Sequence, residues 1–151
     1  MKKTFALATF VVAVSAGGLA GGVAVASENE ETNELPIVSV YQSPGCGCCD
    51  EWIDHLEENG FTVEVNNTHN IEAVKEGFGV PPEMTSCHTA FVGDYFVEGH
   101  VPADEIKGLL SSYPDVRGIA VQNMLDSPGE SYEVISVGIN GEVGVRSIVD
   151  H

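Results

Sequence analysis

The sequence predicts an α/β protein with a mixed β-sheet flanked by helices, and three observations support this class. Short alternating or β-branched runs, such as residues 37–43 and 61–65, are typical of strands. A run of helical period, residues 49–59, stands between these two strands. The complete order is β-α-β-α-β-β-α, followed by a terminal hairpin. We therefore expect the first two strands to pair in parallel, since a helical crossover joins them.

Each predicted element has its own local signal. Trp52, Ile53 and Leu56 form the apolar face of the first helix. Asn70 is a suitable N-cap for the second helix, and Gly79 ends it. The predicted elements, in order, are a strand at 37–43, a helix at 49–59, a strand at 61–65, a helix over 71–78, strands at 89–92 and 95–101, and a helix from Pro102 to near Pro114.

Two further signals complete the predicted fold. Asn140-Gly141 stands between two alternating runs, which is the strongest short-range hairpin signal. Cys46 and Cys49 have C-x-x-C spacing and lie between a strand and a helix, which is typical of a thioredoxin-like redox motif. We expect a thioredoxin-like domain, with a central mixed four-stranded sheet flanked by helices and an additional C-terminal β-hairpin.

The chain divides into three predicted segments. Lys2, Lys3, an apolar run and the small residues Ala24-Val25-Ala26 predict a signal peptide over residues 1–26. Residues 27–36 are polar and acidic, which predicts a disordered leader. Residues 37–151 form the predicted domain. We expect an exported protein, periplasmic or extracellular, with no stable membrane insertion after cleavage; an uncleaved N-terminal anchor is the alternative.

The charge of the chain excludes some partners. Its formal net charge is −17, and beyond residue 26 only Lys75, Lys107, Arg117 and Arg146 are basic. Nucleic acids and anionic lipids need basic contacts, so neither is an expected partner. The acidity by itself identifies no site.

The cysteine cluster is the chemically informative feature. Cys46, Cys48 and Cys49 fall within four positions at the start of a predicted helix. Thiols at a helix N-terminus have lowered pKa values, because the helix dipole and the backbone N–H groups stabilise thiolates. A disulfide between neighbouring residues such as Cys48 and Cys49 is strained. Three crowded thiolates favour copper(I), zinc or an iron–sulfur cluster over hard ions.

The fourth cysteine lies far along the chain, in Cys87-His88, directly before the third strand. In a thioredoxin-like frame the loop at this position faces the C-x-x-C turn and usually carries a cis-proline. We align His88 with that proline. The sequence then brings four sulfurs and an imidazole to one place, and we interpret them as metal ligands.

Two other readings of the cysteines stay open. One is a thiol–disulfide oxidoreductase that uses Cys46 and Cys49 as its catalytic pair. The other is a structural or interaction domain stapled by two disulfides. A metal-binding protein is favoured over an enzyme, with thiol–disulfide or copper redox activity as the enzymatic alternative.

Three residues are weaker ligand candidates. Met84 and Met124 could supply thioether sulfur, although methionines more often fill gaps in a core. His100 follows the hairpin strand and could reach the same surface. His55, in the first helix, is expected at the surface or behind the ligands. Copper(I) is accepted by all these donor types, while zinc would take Cys₃His or Cys₄.

Three stretches of the sequence resemble the DUF411 family of predicted metal-binding proteins, which includes copper-resistance proteins of the CopG kind. They contain the motifs C-G-C-C at 46–49, S-C-H-T-A at 86–90 and E-G-H-V-P at 98–102. The resemblance implies an extracytoplasmic copper-binding protein that serves copper resistance, and other copper-handling proteins as partners. It assigns the metal to Cys46, Cys48, Cys49 and Cys87, with His88 beside them. The methionine-rich loop of the family is only partly present, since Met124 is retained and Glu130 stands where a second methionine is usual.

Overall fold

A single seven-stranded sheet organises the domain. The computed structural model describes residues 34–45, 47–121 and 131–150. The predicted signal peptide and most of the acidic leader lie outside these residues. The elements are β1 (Val38–Gln42), α1 (Cys48–Glu58), β2 (Val63–Asn67), α2 (Ile71–Phe78), a 3₁₀ turn (Pro82–Met84), β3 (His88–Val92), β4 (Tyr95–Glu98), α3 (Ala103–Ser112), β5 (Val116–Val121), β6 (Tyr132–Gly138) and β7 (Val143–Val149).

The strand order is β2-β1-β3-β4-β5-β6-β7. The predicted parallel pairing of β1 with β2 is confirmed, and β4 pairs in parallel with β5. The other neighbours are antiparallel. The structure is therefore of the predicted mixed α/β class.

The predicted four-stranded sheet with an additional C-terminal hairpin was wrong in its strand count, because the sheet has seven strands. The terminal hairpin continues the sheet as β6 and β7, because β5 connects it to β4. The sequence did not reveal β5, since its second half is buried at every position and shows no alternation. A strand covered on both faces loses the period-2 signal by which strands are recognised.

The local turn and cap signals were informative. Gly141 has φ +85° in the turn between β6 and β7, as expected for an Asn-Gly hairpin. The Asn70 side chain accepts a hydrogen bond from the N–H of Ala73, and Gly79 ends α2 in the left-handed conformation. β4 ends at Glu98, earlier than predicted, because Gly99 turns the chain at φ +76°.

The two faces of the sheet have separate cores. The larger core lies between the sheet and the helices α1 and α3 and includes Trp52, Leu56 and Ile106. The smaller core, on the opposite face, includes Val80, Phe96 and Val137. Among the helices in the described residues, none has the length and apolarity needed to cross a membrane.

Candidate metal centre

Cys49 is presented by the first turn of α1. Gly45, at φ +88°, and Gly47 carry the chain from β1 into the helix, and Gly47 caps it without a side-chain hydrogen bond. The first backbone N–H groups of α1 have no acceptor within the helix, so they can donate to an anion at this end. Cys49 is fully buried at the edge of the larger core. The Cys49 sulfur is therefore shielded from bulk water.

The sheet brings Cys87 and His88 to the same place. β1 and β3 are antiparallel, and His88 at the start of β3 pairs with Gln42 at the end of β1. The chain that leaves β1 toward α1 therefore passes the chain that enters β3. Cys87 is exposed, whereas His88 is 1% exposed. The site therefore has one donor residue at the protein surface, Cys87, and two in the interior, Cys49 and His88.

Three donor atoms form a compact triangle. Cys49 Sγ lies 3.7 Å from Cys87 Sγ and 3.5 Å from His88 Nδ1, and Cys87 Sγ lies 3.8 Å from the same nitrogen. A point equidistant from the three atoms in their plane lies about 2.1 Å from each, close to the usual metal–sulfur and metal–nitrogen bond lengths. Within the described residues, these three side chains are grouped closely enough to hold one metal ion together. The donor set fits a soft metal.

His88 is held neutral by its surroundings. The pKa of His88 is lowered from 6.5 to about 4, mainly by burial and also by the nearby charges of His100 and Lys75. A contact with the backbone of Gly99 acts in the opposite direction. Within the described residues Nε2 has no hydrogen bond of normal geometry, so the Gly99 contact is weak. The imidazole is neutral at physiological pH, which is the form that binds metals.

Aromatic rings enclose the His88 side chain. The Trp52 ring centroid lies 4.8 Å from that of His88, and the His100 ring stacks on His88 at 5.3 Å. Trp52 is itself fixed, since its Nε1 donates to the carbonyl oxygen of Val101 at 2.8 Å. Desolvation lowers the pKa of His100 and the charge of Glu51 raises it. His100 therefore lies against the donor triangle and is not one of its three members.

The remaining predicted ligands have different positions. Cys46 and Met124 lie outside the described residues, and so does the side chain of Cys48, whose backbone begins α1. Met84 is buried in the smaller core, on the opposite face of the sheet from Cys49. Its thioether is surrounded by apolar side chains. The structure thus brings together Cys49, Cys87 and His88, with His100 beside them.

Sequence reasoning missed a pair of buried charges behind the donors. Lys75 on α2 and Glu98 on β4 form an ion pair that is almost fully buried. Glu98 belongs to the E-G-H-V-P motif, but in so acidic a chain one more glutamate gave no signal. A lysine is usually exposed, so nothing in the sequence indicated that Lys75 is buried. Only the fold shows that the two side chains meet.

The fold and the donor cluster define a mixed α/β protein with a candidate site for a soft metal ion. The family described as "Protein of unknown function, DUF411" matches residues 84–129. A solved structure named "Copper resistance protein copG", form 1, is 36% identical, with a TM-score of 0.68, over 78% of this chain and 100% of that one. Form 2 is also 36% identical, with a TM-score of 0.69, over 77% of this chain and 99% of that one. No curated protein sequence matches significantly.

The chain belongs to the DUF411 family, of the CopG type. The family resemblance drawn from the three sequence motifs is thereby confirmed. Two of these motifs, at 86–90 and 98–102, lie inside the matched segment, and C-G-C-C lies before it.

Proposed function

We propose that this protein binds copper(I) outside the cytoplasm and contributes to copper resistance. The observation that carries the proposal is the triangle of Cys49, Cys87 and His88, whose donor atoms lie within 3.8 Å of one another although Cys49 and Cys87 are 38 residues apart in the chain. The names of the similar solved structures support copper as the metal.

The chemistry of the donors supports a soft, monovalent ion. Thiolate sulfur and neutral imidazole suit copper(I), which accepts three donors in a plane. Cys46 and Cys48 are proposed as additional ligands, since both are adjacent in sequence to the described site. His100 and Met124 remain secondary candidates. Zinc is the alternative metal and would complete a tetrahedral Cys₃His or Cys₄ site.

Each residue has a proposed part in uptake of the ion. The N-terminus of α1 stabilises the Cys49 thiolate, and the exposed Cys87 meets the incoming ion first. His88 is already neutral, so it gives up no proton at neutral pH. The thiols must lose theirs, and binding therefore releases protons. The Trp52 ring and the burial of Cys49 keep bulk water from the inner donors.

The thioredoxin-like assignment is part of the same proposal. The order β2-β1-β3-β4, with β1 and β2 parallel and β3 antiparallel to both neighbours, supports it. In this frame Cys49 lies at the start of the helix after the first strand, and Cys87 and His88 lie where the facing loop enters β3. β5, β6 and β7 extend the sheet beyond that unit.

A thiol–disulfide oxidoreductase is the second candidate, because Cys49 lies in the first turn of a helix, where thiols are reactive. Insulin reduction measures this activity directly. Turnover by the wild type that persists in Cys48→Ser would favour C-x-x-C chemistry by Cys46 and Cys49. Absence of turnover would leave copper binding as the proposed function.

The central experiment is a titration of the fully reduced protein with copper(I) against a competing chromophoric chelator. We expect at least one tightly bound equivalent, with Cys87→Ser and His88→Ala each binding about 10-fold or more weakly. Parallel titration with zinc tests the metal, and copper(I) should displace it. His69→Ala is the matched control, because His69 is an exposed histidine that is not among the three clustered donors.

Failure of the wild type to compete with the chelator would remove the copper proposal. Equal affinity of His88→Ala and His69→Ala would remove His88 from the ligand set while leaving the thiols in place.

A further inference from the structure

Lys75 and Glu98 form a buried ion pair that the donor triangle does not use. Lys75 is 1% exposed and Glu98 is 0% exposed, and Nζ directly contacts Oε1. Lysine and glutamate are almost never buried so completely unless they are paired. Desolvating two charges is expensive, and apolar residues would often stabilise a fold as well or better. The contacts of this pair therefore call for an explanation other than stability.

The pair holds the backbone on both sides of Cys87. Glu98 Oε1 accepts hydrogen bonds from the Ser86 N–H at 2.6 Å and the Ser86 hydroxyl at 2.8 Å. Lys75 Nζ donates to the carbonyl oxygen of His88 at 2.7 Å. The Ser86 hydroxyl lies equally close to that carbonyl, at 2.8 Å. The segment Ser86–His88 is thus tied at its first and last residues.

These contacts act from the opposite face of the sheet. Glu98 pairs with Thr89, so the two side chains lie on one face, while His88 and Ala90 alternate onto the other. Ala90 belongs to the larger core, on the side of Cys49. In the described residues neither Lys75 nor Glu98 forms a hydrogen bond with a donor atom of the triangle. Their effect on the donors passes through the backbone.

We propose that the Lys75–Glu98 pair is a positioning device that holds Cys87 Sγ and His88 Nδ1 at metal-binding separation before the ion arrives. This inference rests on the proposed function, in which both atoms are ligands. Ordering a loop during binding costs free energy, so a loop that is already ordered binds more tightly.

If the pair only stabilises the fold, its loss should change stability and not copper(I) affinity. A double substitution separates this structural role from the proposed positioning role. Lys75→Met/Glu98→Leu removes both charges together and leaves apolar side chains of similar length. Because a buried ion pair can be replaced in this way at little cost, the urea unfolding midpoint should be unchanged or higher. The hydrogen bonds to Ser86 and His88 disappear. In this variant copper(I) affinity should therefore fall while stability to urea does not.

The experiment measures copper(I) affinity by chelator competition, together with copper K-edge X-ray absorption of the loaded protein. We expect the double variant to bind copper(I) roughly 10- to 100-fold more weakly, the usual effect of losing groups that orient ligands. The absorption spectrum should lose imidazole scattering while sulfur scattering persists. Glu105→Leu/Arg146→Met is the matched control, since it removes the ion pair between α3 and β7; its affinity should stay within about twofold of wild type, as for sites that do not couple.

Wild-type affinity and imidazole scattering in Lys75→Met/Glu98→Leu would overturn the inference and leave the copper proposal intact. A wild type that binds no copper(I) would refute the copper proposal itself, so the two failures are distinguishable. If the double variant does not fold, Lys75→Met/Glu98→Gln replaces it, because Gln can still accept from the Ser86 N–H. Only the contact to the His88 carbonyl is then lost, and unchanged affinity in that variant would likewise overturn the inference.

Discussion

His88 combines almost complete burial with a pKa of about 4, and these properties make it a titrating element of the metal-free fold. The unfolded chain carries an ordinary histidine with a pKa near 6.5. Between these two values the unfolded state binds more protons than the folded state. Stability therefore rises with pH across this window and falls as the pH drops from 6.5 toward 4.

We expect the metal-free, reduced protein to lose about 3 kcal/mol of unfolding free energy from His88 alone between pH 7 and pH 4. Urea unfolding at closely spaced pH values measures this loss. His88→Gln is the comparison variant, because it keeps a polar side chain of similar size that does not titrate. Its stability should fall less steeply over the same window, and parallel curves for the two proteins would contradict the expectation.

The donor residues were predictable from the sequence to different degrees. The expected approach of Cys87 to Cys49 is found at 3.7 Å, because the spacing of strands and helices already placed both at one end of β1 and β3. The contact of Lys75 with Glu98 could not be predicted. It depends on how α2 packs over β1 and β3, from where Lys75 reaches Glu98 on β4, and neither residue type in this acidic chain signals burial.

At the scale of elements, α1 is joined to the segment before α3 by two side chains. Trp52 donates to the carbonyl oxygen of Val101, and the N–H of Ala103 donates to His55 Nε2 at 3.1 Å. Pro102 caps α3 without a side-chain hydrogen bond, so His55 satisfies a backbone group that would otherwise lack a partner. Expected only at the surface or behind the ligands, His55 acts as a cap supplied by another helix.

We expect His55→Ala to lower the free energy of unfolding by about 1 kcal/mol, the usual cost of losing an N-cap acceptor. Chemical unfolding at neutral pH measures the difference. His69→Ala is the control, since His69 is an exposed histidine that caps no helix among the described residues. Equal stability of the two variants would show that the bond to Ala103 contributes nothing.

The elements themselves were predictable where one face is solvated. β1 alternates between buried and half-buried residues, and its boundaries agree with the prediction to within a residue. β5 was missed because the neighbours on both sides and the cores on both faces remove its alternation. The pairing that adds β6 and β7 to the sheet is a long-range property, which local patterns do not encode.

At the scale of the whole molecule, the proposed export would determine which chemistry is open to the thiols. The proposed cleavage after Ala26 would release a chain that begins at Ser27, into a compartment where oxidation competes with metal binding. Bound copper(I) would then also protect the thiolates from oxidation, because a thiolate that binds the ion cannot form a disulfide.

We expect the protein from the exported fraction of expressing cells to have a mass that corresponds to residues 27–151. Intact-mass spectrometry of an untagged preparation tests this. Ala24→Leu/Ala26→Leu should retain the N-terminal segment, because signal peptidase requires small residues at those positions. An exported wild-type protein of full-length mass would favour the uncleaved anchor.

The antiparallel register of β1 and β3 has a consequence for how the donor set can change. Gln42 stands opposite His88, and Thr89 follows on the other side of the pleat. A shift of this register by one residue would exchange the faces of His88 and Thr89. The Thr89 hydroxyl would then lie where the His88 imidazole now lies. The donor set proposed for a soft ion thus depends on which alternate side chains of β3 lie on the Cys49 side of the sheet. A shift of the β1–β3 register by an even number of residues would keep the His88 side of β3 facing Cys49. An odd shift would place the Thr89 side there, and a hydroxyl suits harder cations.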